Sequence, residues 1–251
     1  MDIAFFEELS MLARRAIGAA LAAGLTAESK DPDEFDPVTE ADRAAERAMR
    51  VAIEQRFPDH GIWGEEYGMA RADASLRWSL DPVDGTRALV CGLPSWAVLV
   101  GLLDDGRHVA GMIDLPTLDE RLIAVDGRTR GNGAPVAASD CQSIADARWS
   151  TTDPFLFDRA EAEAVARLRG AAKVARYGLD AMAYARVATG DLDLVIESNL
   201  QPHDIDALVA VVRGAGGHFG DWEGGSDFTR GRVIAASTKQ LYEETVALLG
   251  G

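Results

Sequence analysis

The hydrophobic pattern of this 251-residue chain changes its period twice, and the order of the three patterns limits the folds that the chain can adopt. Apolar residues recur at helical spacing over 2–23 and again over about 40–57. Five short runs of strand-forming residues follow between 61 and 125, and strand and helix patterns alternate from 147 to 249. This order, with helices first, meandering strands next and alternating strands and helices last, predicts a layered mixed α/β protein.

Capping residues indicate where several of the predicted helices begin. Thr39, followed three residues later by Asp42, resembles a capping box at the start of the second helix. Asp153 is the predicted cap of a helix over 155–168, and Asp180 is the predicted cap of the helix after it. Because capping by itself accounts for a polar residue at a helix end, Asp180 has a structural interpretation as well as a functional one.

The charge composition restricts the class of partner. The chain has 25 Lys and Arg residues against 41 Asp and Glu residues, which gives a net charge of −16. The sequence therefore lacks the basic footprint of a nucleic-acid-binding protein. If the substrate is an anion, positive charge must come from outside the chain, and a bound metal ion is the obvious source.

Cysteine usage and the longest apolar run predict the cellular setting. Cys91 and Cys141 cannot form a disulfide framework, and Cys91 is predicted to pack in an apolar strand context. The longest apolar run, 88–103, is interrupted by Gly92 and Pro94 and is too short to span a bilayer. Since the N-terminal residues are acidic where a signal peptide would be basic, we expect a reduced, cytoplasmic setting without membrane attachment.

Three acidic clusters stand at predicted strand ends or helix starts: GEEYG (64–68), DPVDGT (81–86) and PHD (202–204). Rigid elements hold carboxylates at such places while the side chains face open space. Hard oxygen ligands of this kind suit Mg²⁺. Each cluster taken alone is typical of a solvated turn, because Asp and Gly dominate turns.

The DPVDGT run is more specific than the other two clusters. Pro82 has no N–H and fixes its own backbone, so Asp81, the Val83 carbonyl and Asp84 can converge on a single point. The haloacid-dehalogenase phosphatases use a different pattern, Asp-x-Asp-Gly-Thr, whose first Asp is a covalent nucleophile. Here the residue two places before Asp84 is Pro82, which cannot attack phosphorus, so the sequence argues against that class.

The chain resembles the Mg²⁺-dependent inositol monophosphatase superfamily over most of its length. The matching segments, in order, are DPVTEADRAAE (36–46), WGEEYG (63–68), WSLDPVDGT (78–86), GDLDLVIE (190–197) and PHDIDAL (202–208). Within the superfamily the chain looks most like the histidinol-phosphatases, through WSTTDPFLFD (149–158) and RYGLDAMAY (176–184). The resemblance implies an α/β (α+β) fold, a layered α-β-α-β-α sandwich, as a single domain over 1–251 whose halves meet near residue 140.

The resemblance also implies a role for each matched residue. The implied metal ligands, which would hold two or three Mg²⁺ ions, are Glu65, Asp81, the Val83 carbonyl, Asp84 and Asp204. Thr86 and Asp42 match the pair that orients the attacking water and takes its proton, and Glu65 holds the ion that activates this water. Gly85 and Thr86 match the backbone groups that hold the phosphate. The implied reaction is in-line attack of water on phosphorus, without a phosphorylated enzyme.

Fewer residues specify the leaving group. Histidinol carries a cationic amine, for which Glu197 and Asp180 are the candidate partners, and Arg176 could pair with Asp180 or approach the phosphate. The predicted function is therefore hydrolysis of histidinol phosphate to histidinol and phosphate. The alternatives are a phosphatase for inositol-1-phosphate or for another sugar or nucleotide phosphomonoester and, from a different class, a non-enzymatic Ca²⁺-binding scaffold.

The resemblance implies a homodimer as well. Members of the superfamily usually pair through the sheet-bearing half, and the apolar run 88–103 offers a surface that a second copy could cover.

Overall fold

Seven α-helices and fifteen β-strands make up the described part of the chain in the computed structural model, which covers residues 2–24, 27–29 and 37–250. The helices are α1 (Ile3–Ala23), α2 (Glu40–Arg56), α3 (Thr86–Val90), α4 (Arg159–Ala171), α5 (Ala181–Thr189), α6 (Pro202–Gly214) and α7 (Lys239–Gly250). The strands are β1 (Ala27–Ser29), β2 (Pro37–Thr39), β3 (Gly61–Gly64), β4 (Gly68–Ala70), β5 (Leu76–Asp84), β6 (Ala97–Asp104), β7 (Arg107–Leu115), β8 (Glu120–Val125), β9 (Arg128–Gly131), β10 (Ala134–Pro135), β11 (Arg148–Thr151), β12 (Val174–Tyr177), β13 (Leu194–Glu197), β14 (His218–Gly220) and β15 (Val233–Ala236).

The first two helices begin where the sequence predicts. The Asp2 side chain caps α1 by accepting a hydrogen bond from the Ala4 amide, and Thr39 and Asp42 form the predicted capping box of α2. Their apolar faces enclose Trp78, whose indole is fully buried. Burying a large apolar side chain of this kind contributes about 1.5–3 kcal/mol. No helix in the described ranges combines the length and the hydropathy that a membrane crossing requires.

The eight-stranded sheet brings two acidic residues together. Its order is β10-β9-β8-β7-β6-β5-β3-β4, and neighbours pair antiparallel except β3 and β5. These two run parallel, with Gly64 opposite Leu80. Because parallel strands run toward the same edge of a sheet, the next residues, Glu65 and Asp81, come to lie side by side.

The second half of the chain forms a five-stranded mixed sheet of order β12-β11-β13-β15-β14. Strands β12, β11 and β13 are parallel, and α4 and α5 provide the crossovers between them. Strand β15 pairs antiparallel with both β13 and β14. The predicted alternation of strands and helices after residue 147 is present, and its first part, through β13, forms parallel crossover units.

Alternate residues of the central strands face different cores, which gives the layers their order. In β6, Val98 and Val100 pack with α1 and α2, whereas Leu99 packs with α5 and α6. The five-stranded sheet covers the opposite side of α5 and α6, and its outer face packs against α4 and α7. The resulting α-β-α-β-α order confirms the predicted fold class.

Two glycines allow α6 to lie directly on the eight-stranded sheet. A Cβ at Gly111 would stand 2.6 Å from the Ala207 carbonyl oxygen, and one at Gly101 would stand 3.0 Å from atoms of Asp206. Any side chain at these positions would push α6 away from β6 and β7. The close contact fixes the first turn of α6, which carries Asp204.

Several local predictions are wrong. The helix predicted over 155–168 is α4, and its cap is Asp158, which forms a reciprocal capping box with Glu161. The Asp153 side chain instead accepts from the Phe155 amide in the preceding turn. Cys91 does not pack in a strand but is exposed at the end of α3, because the chain after the DPVDGT run turns into a short helix.

Candidate metal and phosphate site

Glu65 and Asp81 form the first part of an acidic site at the edge of the eight-stranded sheet. The parallel register is extended by one hydrogen bond, which the Glu65 amide donates to the Leu80 carbonyl at 3.1 Å. Asp81 is 2% exposed, and its Oδ1 accepts from the Val83 amide at 3.0 Å. The Asp-Pro-Val turn therefore folds back on its own carboxylate.

Asp84 and Asp204 approach the same point from other elements. Asp84 ends β5, and its Oδ2 accepts from the Ala181 amide at the start of α5 at 2.6 Å. Asp204 lies in the first turn of α6, and its Oδ2 accepts from the Gln201 amide at 2.7 Å. Oxygen atoms of Asp81, Asp84 and Asp204 lie within 4.8 Å of one another. Residues from both halves of the chain thus meet in one cluster.

Among the described residues, burial and mutual repulsion in this cluster outweigh the opposing contact of His203, whose Nε2 lies 3.5 Å from Asp204 Oδ1. Burial, followed by the charges of Glu65 and Asp84, raises the pKa of Asp81 well above its ordinary range. Burial, followed by the charges of Asp180 and Asp204, raises the pKa of Asp84 well above its ordinary range. Burial also raises the pKa of Asp204. Hard carboxylate oxygens that repel one another at this spacing fit a divalent cation such as Mg²⁺, whose charge would offset the repulsion.

Asp42 and Thr86 lie together beside the cluster. The Thr86 Oγ1 is 3.2 Å from Asp42 Oδ1 and 3.0 Å from the Val83 carbonyl oxygen. Asp42 Oδ2 accepts from the Thr39 amide at 2.9 Å, so the capping box that starts α2 also fixes this carboxylate. Burial raises the pKa of Asp42. The two residues matched to water activation are therefore in contact.

A cleft of about 260 Å³ opens over these groups. Its lining residues are Glu65, Asp81, Val83, Asp84, Gly85, Thr86, Arg87, Leu156, Asp180 and Asp204. Gly85 has a φ of 81°, and a Cβ there would stand 2.9 Å from the Asp180 carboxyl carbon. Glycine thus supplies both the left-handed turn before α3 and the space that Asp180 occupies.

Asp180 is not the helix cap that its position suggests. It precedes α5, but its side chain makes no capping hydrogen bond, and the first amide of α5 is satisfied by Asp84 instead. The Asp180 Oδ2 accepts from the Ser95 hydroxyl at 3.2 Å. Burial raises the pKa of Asp180, while Ser95 and Arg87 oppose that shift. The Asp180 carboxylate therefore lines the cleft instead of capping α5.

Two further predicted residues lie outside the cleft lining. Glu197 is 4% exposed, and its oxygens accept from the Thr152 amide at 2.7 Å and the Thr151 hydroxyl at 3.1 Å. Burial raises the pKa of Glu197 to about 7. Arg176 is exposed on β12, where its Nη1 donates to the Ala175 carbonyl at 3.0 Å.

The sequence analysis missed one residue that holds the site together. Glu46 lies one turn after Asp42 on α2, is fully buried, and accepts from the amides of Glu66 and Tyr67. A Cβ at Gly64 would overlap the Glu46 carboxylate, so only glycine leaves it room. Glu46 therefore fixes the turn that presents Glu65. The available sequence signal was the spacing, because Glu46 lies four residues after Asp42 and therefore on the same face of α2.

Comparisons with known proteins identify the family of this chain. The model of the inositol monophosphatase family matches residues 3–250. The bifunctional phosphatase IMPL2 of Arabidopsis thaliana is 40% identical over 231 residues, which cover 87% of this chain and 67% of that protein. A histidinol-phosphatase of Chlorobaculum parvum is 32% identical over 216 residues, covering 85% of this chain and 83% of that protein. The structure of an inositol monophosphatase from Zymomonas mobilis aligns with a TM-score of 0.89 at 36% identity, covering 100% of this chain and 98% of that chain. This chain therefore belongs to the inositol monophosphatase family and is a phosphoric monoester hydrolase.

Proposed function

We propose that this protein is a Mg²⁺-dependent phosphatase that hydrolyses histidinol phosphate to histidinol and inorganic phosphate. The observation that carries the proposal is the placement of Asp180, an additional carboxylate in the wall of a cleft that already contains the predicted metal ligands. Relatives with 32% identity and the name histidinol-phosphatase support the substrate. The Mg²⁺ requirement is supported by the acidic cluster and by the family, which is generally Mg²⁺-dependent.

The proposed ligands for two or three Mg²⁺ ions are Glu65, Asp81, the Val83 carbonyl, Asp84 and Asp204. Bound ions would supply the positive charge that draws in a phosphate dianion and makes a water molecule acidic enough to attack it. The chain supplies fixed oxygen ligands, because the β3–β5 edge, the DPVDGT turn and the start of α6 are all held by backbone hydrogen bonds.

Thr86 and Asp42 are proposed to orient the attacking water and to remove its proton. A hydroxyl donates only one hydrogen bond, so when Thr86 donates to Asp42 its lone pairs are free to accept from the water. The raised pKa of Asp42 makes its carboxylate a better proton acceptor than an ordinary aspartate. Backbone groups of Gly85 and Thr86 are proposed to hold the phosphate for in-line attack.

Asp180 is the proposed partner of the substrate amine. Two or three Mg²⁺ ions can offset the four carboxylates among their ligands. Asp180 is not one of those ligands, and its carboxylate lines the cleft beside Arg87, where it can face the leaving group. An ammonium group gains from such a carboxylate, whereas a neutral inositol ring gains only hydrogen bonds. Glu197 is the second proposed carboxylate, although it does not line the cleft and its oxygens accept from Thr151 and Thr152.

Inositol-1-phosphate is the second candidate substrate. It is supported by the Zymomonas mobilis structure, whose protein is named an inositol monophosphatase and which aligns at 36% identity over the whole chain. The acidic cluster would serve either substrate in the same way, so only groups around the leaving group distinguish the two reactions.

Phosphate release by the purified protein with Mg²⁺ tests the assignment. We expect kcat/KM to be at least about tenfold higher for histidinol phosphate than for inositol-1-phosphate, which corresponds to about 1.4 kcal/mol. Asp180→Asn should remove most of this preference while leaving hydrolysis of p-nitrophenyl phosphate nearly unchanged. Asp105→Asn makes the same chemical change on an exposed hairpin and should alter neither rate. Equal or reversed preference in the unmodified protein would favour inositol-1-phosphate.

A further inference from the structure

Leu156 presents an apolar side chain to a cleft whose other walls are mostly polar or charged. Among the described residues that line the cleft, only Leu156 and Val83 have apolar side chains. Val83 is 1% exposed and its carbonyl accepts from the Thr86 hydroxyl, whereas Leu156 is 44% exposed. Of these described lining residues, Leu156 is therefore the one whose apolar side chain a bound molecule can contact.

Hydrogen bonds and packing hold Leu156 in the turn before α4. Its amide donates to the Asp153 carbonyl at 3.2 Å, and its carbonyl accepts from the Asn199 side-chain amide at 3.0 Å. The next residue, Phe157, is 9% exposed and packs against Trp222, with 5.9 Å between the ring centroids. Because the backbone is fixed on both sides, the Leu156 side chain keeps its place at the cleft.

The residue before Leu156 has different surroundings. Phe155 is 91% exposed, and it borders a separate hollow against α4 and Tyr177 rather than the cleft. Single exposed apolar residues are common on protein surfaces, so the exposure of Phe155 implies no function. Leu156 differs because its exposed surface lies within the cleft.

Leu156 is also one of the few lining residues that the chemistry at phosphorus does not use. Once the proposed metal ligands and the phosphate-holding turn at Gly85 and Thr86 are assigned, the lining residues that remain are Arg87, Leu156 and Asp180. These three residues are therefore placed to contact the alcohol part of the substrate. A ring with a carbon face gains from burial against Leu156, whereas a ring covered with hydroxyls loses hydrogen bonds to water there.

We propose that Leu156 is a specificity-determining residue, which selects phosphomonoesters whose alcohol part carries a flat apolar ring over those whose alcohol part carries hydroxyls. The inference rests on the proposed function in one respect, the position of the phosphate at the acidic cluster. It goes further by assigning the imidazole ring of histidinol to Leu156 and its amine to Asp180. An apolar contact of about one methylene group changes kcat/KM by roughly 10- to 200-fold.

Benzyl phosphate and glycerol 1-phosphate test this role without involving Asp180. Both are monoesters of primary alcohols and neither carries an amine, so they differ in having an apolar ring or hydroxyls. With Mg²⁺, we expect kcat/KM of the unmodified protein to be about tenfold higher for benzyl phosphate. Leu156→Asn should remove most of this preference by raising KM for benzyl phosphate. Its kcat should stay nearly unchanged, because the groups that act at phosphorus remain in place.

Two variants of the same turn are the matched controls. Phe155→Asn makes an equally polar change at the more exposed neighbour and should leave the preference for benzyl phosphate unchanged. Leu156→Met keeps an apolar side chain of similar volume at the cleft, so it should retain the preference that Leu156→Asn loses.

Three results would overturn the inference: no preference for benzyl phosphate in the unmodified protein, a preference that survives Leu156→Asn, or the same loss of preference in Phe155→Asn. The proposed substrate is judged separately, by comparing histidinol phosphate with inositol-1-phosphate in the unmodified protein. If inositol-1-phosphate is preferred while Leu156→Asn still removes the preference for benzyl phosphate, the proposed substrate is wrong and this inference stands. If histidinol phosphate is preferred while Leu156→Asn changes nothing, only this inference fails.

Discussion

Each of the three clustered aspartates is fixed by a hydrogen bond from the main chain. The pairs are Asp81 with the Val83 amide, Asp84 with the Ala181 amide and Asp204 with the Gln201 amide. Side chains held in this way cannot rotate apart to relieve their repulsion. A bound cation is therefore the most effective source of relief, and the same hydrogen bonds keep the ligand geometry ready for it.

Thr86→Ala removes the hydroxyl that contacts Asp42. We expect kcat to fall by roughly 10²–10³, the effect of losing one oriented group that acts in the transition state. Calorimetric Mg²⁺ affinity should change little, because the side-chain hydroxyl is not among the proposed ligands. Thr86→Ser keeps the hydroxyl and should restore most of the rate. A Thr86→Ala enzyme with unchanged kcat would contradict the assigned role.

Glu197→Gln should change how stability depends on pH. Folding raises the pKa of Glu197 from 4.5 to about 7. The fold accommodates the buried side chain while it is protonated, and folding stability falls as the pH rises from 4.5 through 7. At pH 8 in EDTA the Gln variant should therefore exceed the unmodified protein by up to about 3 kcal/mol, and at pH 4.5 the two should be similar. Urea unfolding at both pH values measures the difference. A stability gain that is the same at both would show that Glu197 does not titrate near neutrality.

The position of α6 is set by two glycine-bearing strands rather than by α6 itself. Gly101 and Gly111 remove side chains from the sheet surface where the helix crosses it, and α6 carries Asp204 in its first turn. The packing of α6 on the sheet therefore also determines where Asp204 lies.

Gly111→Ala tests this coupling between α6 and the sheet. The new methyl group would meet the Ala207 carbonyl, and overpacking of this kind costs about 1–3 kcal/mol. We expect urea unfolding to show that loss, and Mg²⁺ affinity to fall because Asp204 moves with α6. Gly18→Ala is the control, since it lies exposed in α1 with open space around it and should stabilise the protein by about 0.5–1 kcal/mol. Unchanged Mg²⁺ affinity in Gly111→Ala would show that α6 adjusts without moving the ligand.

The sequence allowed prediction of those parts of the site that depend on neighbours in the chain. The DPVDGT turn and the capping box at Thr39 follow from local geometry, and both are present. The start of α4 was mispredicted because Asp153 and Asp158 are both plausible caps, and only Asp158 has a Glu three residues later that reciprocates.

Contacts between distant segments could not be predicted in the same way. Two features of the site depend on tertiary packing: the parallel pairing of β3 with β5, which brings Glu65 beside Asp81, and the hydrogen bonds by which Glu46 holds the Glu65 turn. Of the two interpretations of Asp180, the helix cap is wrong for the same reason, because Asp84 from another element accepts the hydrogen bond of the Ala181 amide.

At the scale of the whole molecule, we predict a homodimer. The run 88–103 is buried over β6, but its first part includes two exposed side chains, Val90 at the end of α3 and Leu93 in the segment between α3 and β6. Sedimentation at micromolar concentration should give twice the 26.8 kDa mass of one chain. Leu93→Asp should shift the equilibrium toward the monomer, whereas Leu118→Asp, at a comparably exposed site, should not. A stable monomer for the unmodified protein would contradict the prediction.

The net charge of −16 and the buried acidic cluster make the stability of the whole protein depend on Mg²⁺ and pH together. Without a cation, the raised pKa values of Asp81, Asp84 and Asp204 mean that folding favours their protonated forms, so stability falls as the pH rises through those values. With Mg²⁺ bound, the ionised forms are favoured, and this loss is removed. We therefore expect the rise in melting temperature produced by Mg²⁺ over EDTA to be larger at higher pH than at lower pH. Activity should disappear in EDTA and return with Mg²⁺, and Ca²⁺ should inhibit because it accepts the same oxygens with looser geometry. Asp84→Asn should abolish both the stabilisation by Mg²⁺ and turnover, while a stabilisation that is independent of pH in the unmodified protein would place the ions elsewhere than on these carboxylates.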